Sequence, residues 1–191
     1  MFAKETYIQR RAKLKETVGS GLILLLGNEE SSMNYKDNCY SFRQDSSFLY
    51  YFGLDKPGMI GIIDVDKDEE IIFGNDLTID DIVWTGPLPT VAELAQSVGV
   101  TKSQPVSHVT SIVKTAKATG QQVHFLPVYR PENAIKIHEW TDIELSAIKE
   151  SASIKLTKAV IAQRVIKTAE EVAELENQAK QLLTDFSQHS W

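Results

Sequence analysis

Five consecutive aliphatic residues, Leu22 to Leu26, stand between Gly21 and the pair Gly27-Asn28. A run that short without one polar position fits a β-strand buried on both faces, so other elements have to cover it on each side. Upstream, Tyr7, Arg11, Leu14 and Val18 recur at helical spacing within Glu5 to Val18, and Gly19 and Gly21 end the pattern. An opening amphipathic helix followed by a central strand is the expectation. Phe48 to Phe52, rich in aromatics and closed by Gly53, reads as a second strand. Met59 to Val65 and Glu70 to Phe73, joined by Asp66-Lys67-Asp68-Glu69, read as an antiparallel hairpin.

The period then changes. Thr90 to Val98 carries Val91, Leu94, Ala95 and Val98 on one face behind a capping Thr and before Gly99. Ser107 to Thr119 repeats the pattern with Val109, Ile112, Val113 and Ala116, and Val123 to Leu126 is a short strand before Pro127. Early strands followed by alternating helix and strand define an α/β fold class with a mixed β-sheet flanked by helices, rather than a doubly wound parallel sheet. From Asp142 onward the pattern is helical, with a break around Arg164 to Lys167. Thr168 and Glu171 then have the spacing of a capping box ahead of Val172, Leu175, Ala179, Leu182 and Leu183. That apolar stripe has nothing to cover within the chain. The expected division is a domain over 1–163 and a C-terminal helical stub over 164–191.

Composition bounds the function. The 191 residues hold 20 Lys+Arg against 26 Asp+Glu, a net charge of -6 that disfavours a nucleic-acid role. No stretch approaches the roughly 18 consecutive apolar residues of a membrane span, and Met1 to Arg11 lacks a signal-peptide core, so the expectation is a soluble, cytoplasmic protein without a membrane partner. The single cysteine, Cys39, excludes an internal disulfide and any site built from several thiolates of one chain.

Individual constellations mostly have plain structural readings. Asp64-Val65-Asp66 imitates the carboxylate pair of an aspartyl phosphatase and the start of a calcium loop. A new strand begins at once where a phosphate would need space, and the loop has Glu69 where calcium loops have Gly and Asn75 where they have Glu. A solvated turn is the better reading. Gly27-Asn28 lacks the further glycines and the lysine of a phosphate-binding loop. His108, His124, His138 and His189 are scattered singly, no serine lies in a nucleophile elbow, and Cys39 has no partner thiol. Two segments are more distinctive. Arg43, Gln44 and Asp45 precede the aromatic segment, where Arg and Asp can clamp backbone groups. Trp84 precedes Thr85-Gly86-Pro87-Leu88-Pro89, and a Trp on such a loop can be a core anchor, a subunit contact or a substrate wall.

Phe42-Arg43-Gln44-Asp45-Ser46-Ser47-Phe48 through Gly53, with Pro57-Gly58 after it, resembles the signature of the N-terminal domain of aminopeptidase P, the Xaa-Pro aminopeptidases of the creatinase and prolidase superfamily. Tyr7 to Leu14 is similar to that family's opening Tyr-x-x-Arg-Arg-x-x-Leu helix, and Trp84-Thr85-Gly86 with Leu94 to Val100 resembles its tryptophan loop and helix. Arg164 to Leu175 resembles the hinge and first helix of the catalytic pita-bread domain.

The resemblance implies a non-catalytic domain that shapes substrate access and subunit assembly in a metallopeptidase acting on peptides with proline at the second position, assembled as a homo-oligomer. It also implies a pair of divalent metal ions, commonly Mn²⁺, held by two Asp, one His and two Glu of a catalytic domain. No ligand motif for them can be placed in this chain. The expectations are therefore no catalytic residue, no metal ligand and no cofactor here, with Trp84 as the one substrate-proximal position and no hydrolysis by this polypeptide alone. The residues after Trp84 depart from the aromatic and basic run of many members. A prolidase N-terminal domain and a stand-alone binding module of the same fold are the alternatives.

Overall fold

The computed structural model describes residues 2–188, apart from 37. The strand expected at the centre is β1, Leu22–Leu26, with Leu22, Ile23, Leu24 and Leu25 all buried. Beside it lies β2, Ile60–Asp64, antiparallel and in register from Leu22 opposite Asp64 to Leu26 opposite Ile60. The expected hairpin follows as β2 with β3, Glu69–Phe73. Two short strands complete a mixed sheet of order β4-β3-β2-β1-β5: β4, Lys102–Gln104, parallel to β3, and β5, Val123–Phe125, parallel to β1.

Helices cover both faces, as a strand with no polar side demands. One core joins Ile23, Leu25, Ile63 and Ile72 of the sheet to α1 (Lys4–Val18), α2 (Ser46–Phe52), α4 (Val91–Ser97) and α8 (Ile154–Val165). The other joins Leu22, Leu24, Ile62 and Phe73 to α5 (Val109–Ala118), α6 (Pro131–Thr141) and α7 (Ile148–Ser151). Two further helices, α3 (Ile79–Thr85) and α9 (Ala169–Gln188), stand at the periphery.

Three readings are corrected. Phe48 to Phe52 is the helix α2, not a strand. Asp45 Oδ1 accepts from the N–H groups of Ser47 and Phe48, each at 2.9 Å, and Gly53 closes the helix at φ 65° with its N–H on the Leu49 carbonyl. Cap chemistry outweighs aromatic β-propensity. A side chain at Gly53 would put its Cβ 2.2 Å from the Tyr7 ring, so the close contact of α1 with α2 requires this glycine. Second, Trp84 is not on a loop: its backbone lies in the last turn of α3. Third, Asp142 does not open a continuous helical tail. At φ 55° it ends α6, and a 3₁₀ turn and the short α7 precede α8. The expected break is present between Val165 and Ala169, and the Thr168–Glu171 capping box forms in both directions, at 2.9 and 3.3 Å.

Arg11 is fully buried on the apolar face of α1. Its Nε donates to Glu70 Oε2 at 2.7 Å, Nη1 to the Tyr51 carbonyl and Nη2 to the Val98 carbonyl, both at 2.9 Å. The same group lies 5.3 Å from the centre of the Phe52 ring. One guanidinium thus joins the first helix to β3 and to the ends of α2 and α4. Arg11→Met strands a carboxylate and two carbonyls, and is expected to destabilise the fold by about 3 kcal/mol. Thermal unfolding followed by circular dichroism should show a midpoint lowered by roughly 6–12 °C for a chain of this size; a shift within about 2 °C would contradict this role.

Candidate functional site

The signature segment folds as α2 between two stretches of loop that are locked to each other. Gln44 is buried, and its Oε1 accepts from the N–H groups of Asn28 at 2.7 Å and Asp45 at 2.9 Å. Its Nε2 donates to the carbonyls of Leu54 at 3.2 Å and Lys56 at 2.8 Å. One amide therefore pairs four backbone groups from both ends of the segment. Asp45 uses its second oxygen to accept from the Tyr129 hydroxyl at 3.1 Å, and Asn28 donates to the Arg43 carbonyl at 2.9 Å. The clamp expected from Arg43 and Asp45 is thus made by Gln44 and Asp45, while the Arg43 side chain is exposed.

The residues weighed for catalysis are engaged otherwise. Asp64 accepts from Gln121 Nε2 at 2.7 Å and Lys67 Nζ at 2.8 Å, and Asp66 accepts from the Gly21 N–H at 3.0 Å and Gln121 Nε2 at 2.8 Å. Burial raises the pKa of Asp64, but the hydrogen bonds from Lys67 and Gln121 outweigh it and hold the carboxyl below its ordinary range. Cys39 is half-buried and donates to the Lys36 carbonyl at 3.3 Å. His108 is exposed beside Gln104, His138 faces the Ile143 carbonyl at 2.8 Å, and His189 lies outside the described residues. The Trp84 side chain also lies outside the described residues. Around its backbone, Ile79, Val83 and Leu88 are exposed.

Among the described residues no three His, Cys, Asp or Glu side chains converge as a metal site would require. The donor set of the metal pair implied by the resemblance is therefore not brought together among them. No helix among the described residues is long and apolar enough to cross a membrane.

A second feature is announced by no motif. Where α8 gives way to α9, the chain lies against α1 and α2 and encloses an open cleft of about 520 Å³ that includes Tyr7, Arg10, Tyr50, Asp55, Arg164 and Glu171 in its lining. Gln163 donates to the Arg10 carbonyl at 2.9 Å and accepts from the Tyr51 hydroxyl at 3.2 Å. Arg164 donates to Ser47 Oγ at 3.2 Å, and Thr6 Oγ1 donates to Glu170 at 2.8 Å. The only signal for it at the level of sequence is Arg10 beside Arg11, since two consecutive arginines on a helix point in different directions and cannot serve one contact.

Fold and site together define a class, an α/β domain whose five-stranded mixed sheet carries a locked loop and a polar seam to a further helix. The chain belongs to the family described as aminopeptidase P, N-terminal domain, which matches residues 7–124. A probable Xaa-Pro aminopeptidase of Sordaria macrospora is 28% identical over 177 residues, 90% of this chain and 29% of that protein. The Homo sapiens Xaa-Pro dipeptidase is 26% identical over 114 residues, 60% of this chain and 23% of that protein. The mitochondrial intermediate cleaving peptidase 55 of Arabidopsis thaliana is 24% identical over 181 residues, 86% and 36%. The chain therefore spans between a quarter and about a third of the length of these peptidases. Among solved structures, aminopeptidase P from E. coli in its low-pH form superposes with a TM-score of 0.72 at 17% identity, covering 91% of this chain and 41% of that one. Pseudomonas aeruginosa aminopeptidase PepP gives 0.73 at 20% identity, covering 90% and 40%. Those likenesses establish the mixed sheet flanked by helices.

His124 supplies a pH dependence. It is buried on β5, with Nε2 3.1 Å from the Ser20 carbonyl and Nδ1 2.7 Å from the Ser153 hydroxyl that caps α8. Gly21, at φ 99°, leaves room for the ring: a Cβ there would lie 2.7 Å from Nε2. Burial lowers the pKa of His124, Lys155 lowers it further, and the Ser20 carbonyl and Asp66 oppose them less strongly. The unfolded chain takes up this proton near the ordinary histidine value of about 6.5 and the folded chain only at lower pH, so this contribution is complete above that value and is lost as pH falls through the folded pKa. The free energy of urea unfolding should decline as the pH is lowered below about 6.5, and His124→Gln should flatten that decline. Equal slopes for the two proteins would refute the assignment.

Proposed function

We propose that the chain is the non-catalytic N-terminal domain of a metal-dependent Xaa-Pro aminopeptidase, an enzyme that removes the N-terminal residue preceding proline, and that it shapes substrate access and subunit assembly. The observation that carries this reading is the family match over residues 7–124, set beside a chain that aligns with only 29% of a probable Xaa-Pro aminopeptidase. In this reading 1–163 is the domain and 164–191 is the hinge and first helix of a catalytic domain that supplies the ligands for two divalent ions, Mn²⁺ by our assignment. The stripe of exposed apolar residues on α9, Val172, Leu175, Leu182 and Leu183, supports that division, because a further domain would cover it. A dipeptidase parent is the second reading, supported by the Homo sapiens relative. We assign the protein to the cytoplasm, where a lone thiol such as Cys39 persists unoxidised.

The substrate is a peptide with proline at its second position. Trp84 is the position assigned to the substrate entrance or to a neighbouring subunit. Exposed Ile79, Val83 and Leu88 around it favour a contact surface over a buried anchor, and support a homo-oligomer.

Two measurements test this. The purified chain, incubated with Mn²⁺ and a Gly-Pro-type peptide, should release no N-terminal amino acid by mass spectrometry; metal-dependent release would overturn the non-catalytic assignment. In the protein that carries the catalytic part, Trp84→Ala should lower kcat/KM by about tenfold or shift the oligomer to a smaller species by light scattering, the first corresponding to about 1.4 kcal/mol. An unaltered rate and an unaltered mass would reduce Trp84 to a packing role.

A further inference from the structure

Arg10 is 6% exposed, and its guanidinium is held from two directions. Nη1 donates to the Tyr50 carbonyl at 2.9 Å, and the plane lies 3.9 Å from the centre of the Tyr50 ring, with Phe2 at 4.8 Å. The remaining edge, Nε and Nη2, is buried and has no hydrogen-bond partner among the described residues. That edge is the side of an arginine that takes a carboxylate with two parallel bonds, and leaving it unpaired is costly. Glu171 Oε1 stands 3.5 Å from Nη2, close enough to pair and too far for a short hydrogen bond.

An external anion is a poor candidate for that edge. Asp55, Glu171 and Glu174 line the same cleft against Arg10 and Arg164, so the surroundings already carry more negative than positive side chains. Glu171 is the acceptor within reach. Its other oxygen accepts from the Thr168 N–H in the capping box at 2.9 Å, which leaves Oε1 for Arg10. Because the guanidinium is stacked and bonded, the element free to adjust is the first turn of α9.

We propose that Arg10 and Glu171 form a latch that fixes the direction in which α9 leaves the domain, with Arg10 as the positioning residue. Thr6 Oγ1, donating to Glu170 at 2.8 Å, is the auxiliary contact. Thr6 and Arg10 are then the receptor for the acidic first turn of a helix, while Ser47 and Tyr50 hold Arg164 and Gln163 at the end of α8. The consequence, that the latch orients a following catalytic domain, rests on the reading that 164–191 begins one.

The latch itself is tested on the 191-residue chain without any activity measurement. Spin labels at Ala118→Cys and Gln181→Cys, in a Cys39→Ser background, report the distance between the domain body and α9 by pulsed electron resonance. Glu171→Gln keeps an acceptor for the capping box but turns its amide N–H₂ towards Arg10, so the box survives and the ion pair does not. The distance distribution should be narrow in the parent and at least about twofold broader in Glu171→Gln, with an unchanged far-ultraviolet spectrum. Thr168→Ala, which weakens the cap and spares the pair, should stay narrow. An unbroadened Glu171→Gln, or equal broadening in Thr168→Ala, overturns the latch. A peptidase activity found in the isolated chain would overturn the functional reading and leave this result standing.

Discussion

The buried guanidinium of Arg11 is the constraint around which the sheet and its helices are arranged. A cation without access to water is tolerated only when its donors are met, and here a carboxylate from β3 and the carbonyls that close α2 and α4 meet them. Those partners come from widely separated parts of the chain, so the group can be satisfied only when α1, the sheet, α2 and α4 are all in place. Apolar burial would tolerate several packings of these helices on the sheet; the fixed fork of an arginine tolerates far fewer. Lys15, pairing with both Asp68 and Glu70 one turn further along α1, keeps the Glu70 carboxylate oriented toward the same helix.

The locked loop applies the same logic with a neutral group. Gln44 meets four backbone partners and Asp45 caps the helix that follows, so residues 44 to 56 are held by side chains rather than by a ladder of strand hydrogen bonds. Such a loop can sit beside the sheet without pairing to it. Gln44 and Asp45 thus satisfy the backbone of this segment.

The parts legible in the sequence are those with one dominant signal. β1 has no polar residue, the hairpin has its turn, α4 and the capping box at Thr168 have start signals in agreement with their apolar period, and α5 has its period alone. Arg11 is legible in position, since it falls on the apolar stripe of α1, but not in role, because its partners lie far away in sequence. Phe48 to Phe52 reads wrongly as a strand because aromatic content and helical spacing disagree there. The buried set Phe48, Tyr51 and Phe52 is spaced for a helix, and Asp45 three residues earlier is its cap. α6 has Pro131 at its start and Asn133, Ile137 and Trp140 at helical spacing, whereas β4 is three polar residues that owe their conformation to pairing with β3. The polar seam to α9 shows in the sequence only as Arg10 beside Arg11, as it joins residues of α1 to partners more than about 100 positions away, beyond the reach of any local pattern.

That seam accounts for where α9 begins and not for its length. A helix of 20 residues is marginal in isolation, and most helices gain their stability by burying one face. Here the face that would do so, with Leu175 at 54% and Leu183 at 71% exposure, is open. The first turn alone is anchored, by the capping box and by Thr6 and Arg10. Burying such leucines fully would contribute about 1.5–3 kcal/mol each along the whole stripe, whereas the largely buried Arg10–Glu171 pair acts on the first turn only. The anchoring contacts therefore set where α9 points and contribute little to whether it stays folded beyond its first turns. Direction comes from the domain already formed, and the covering of the stripe has to come from whatever packs against it.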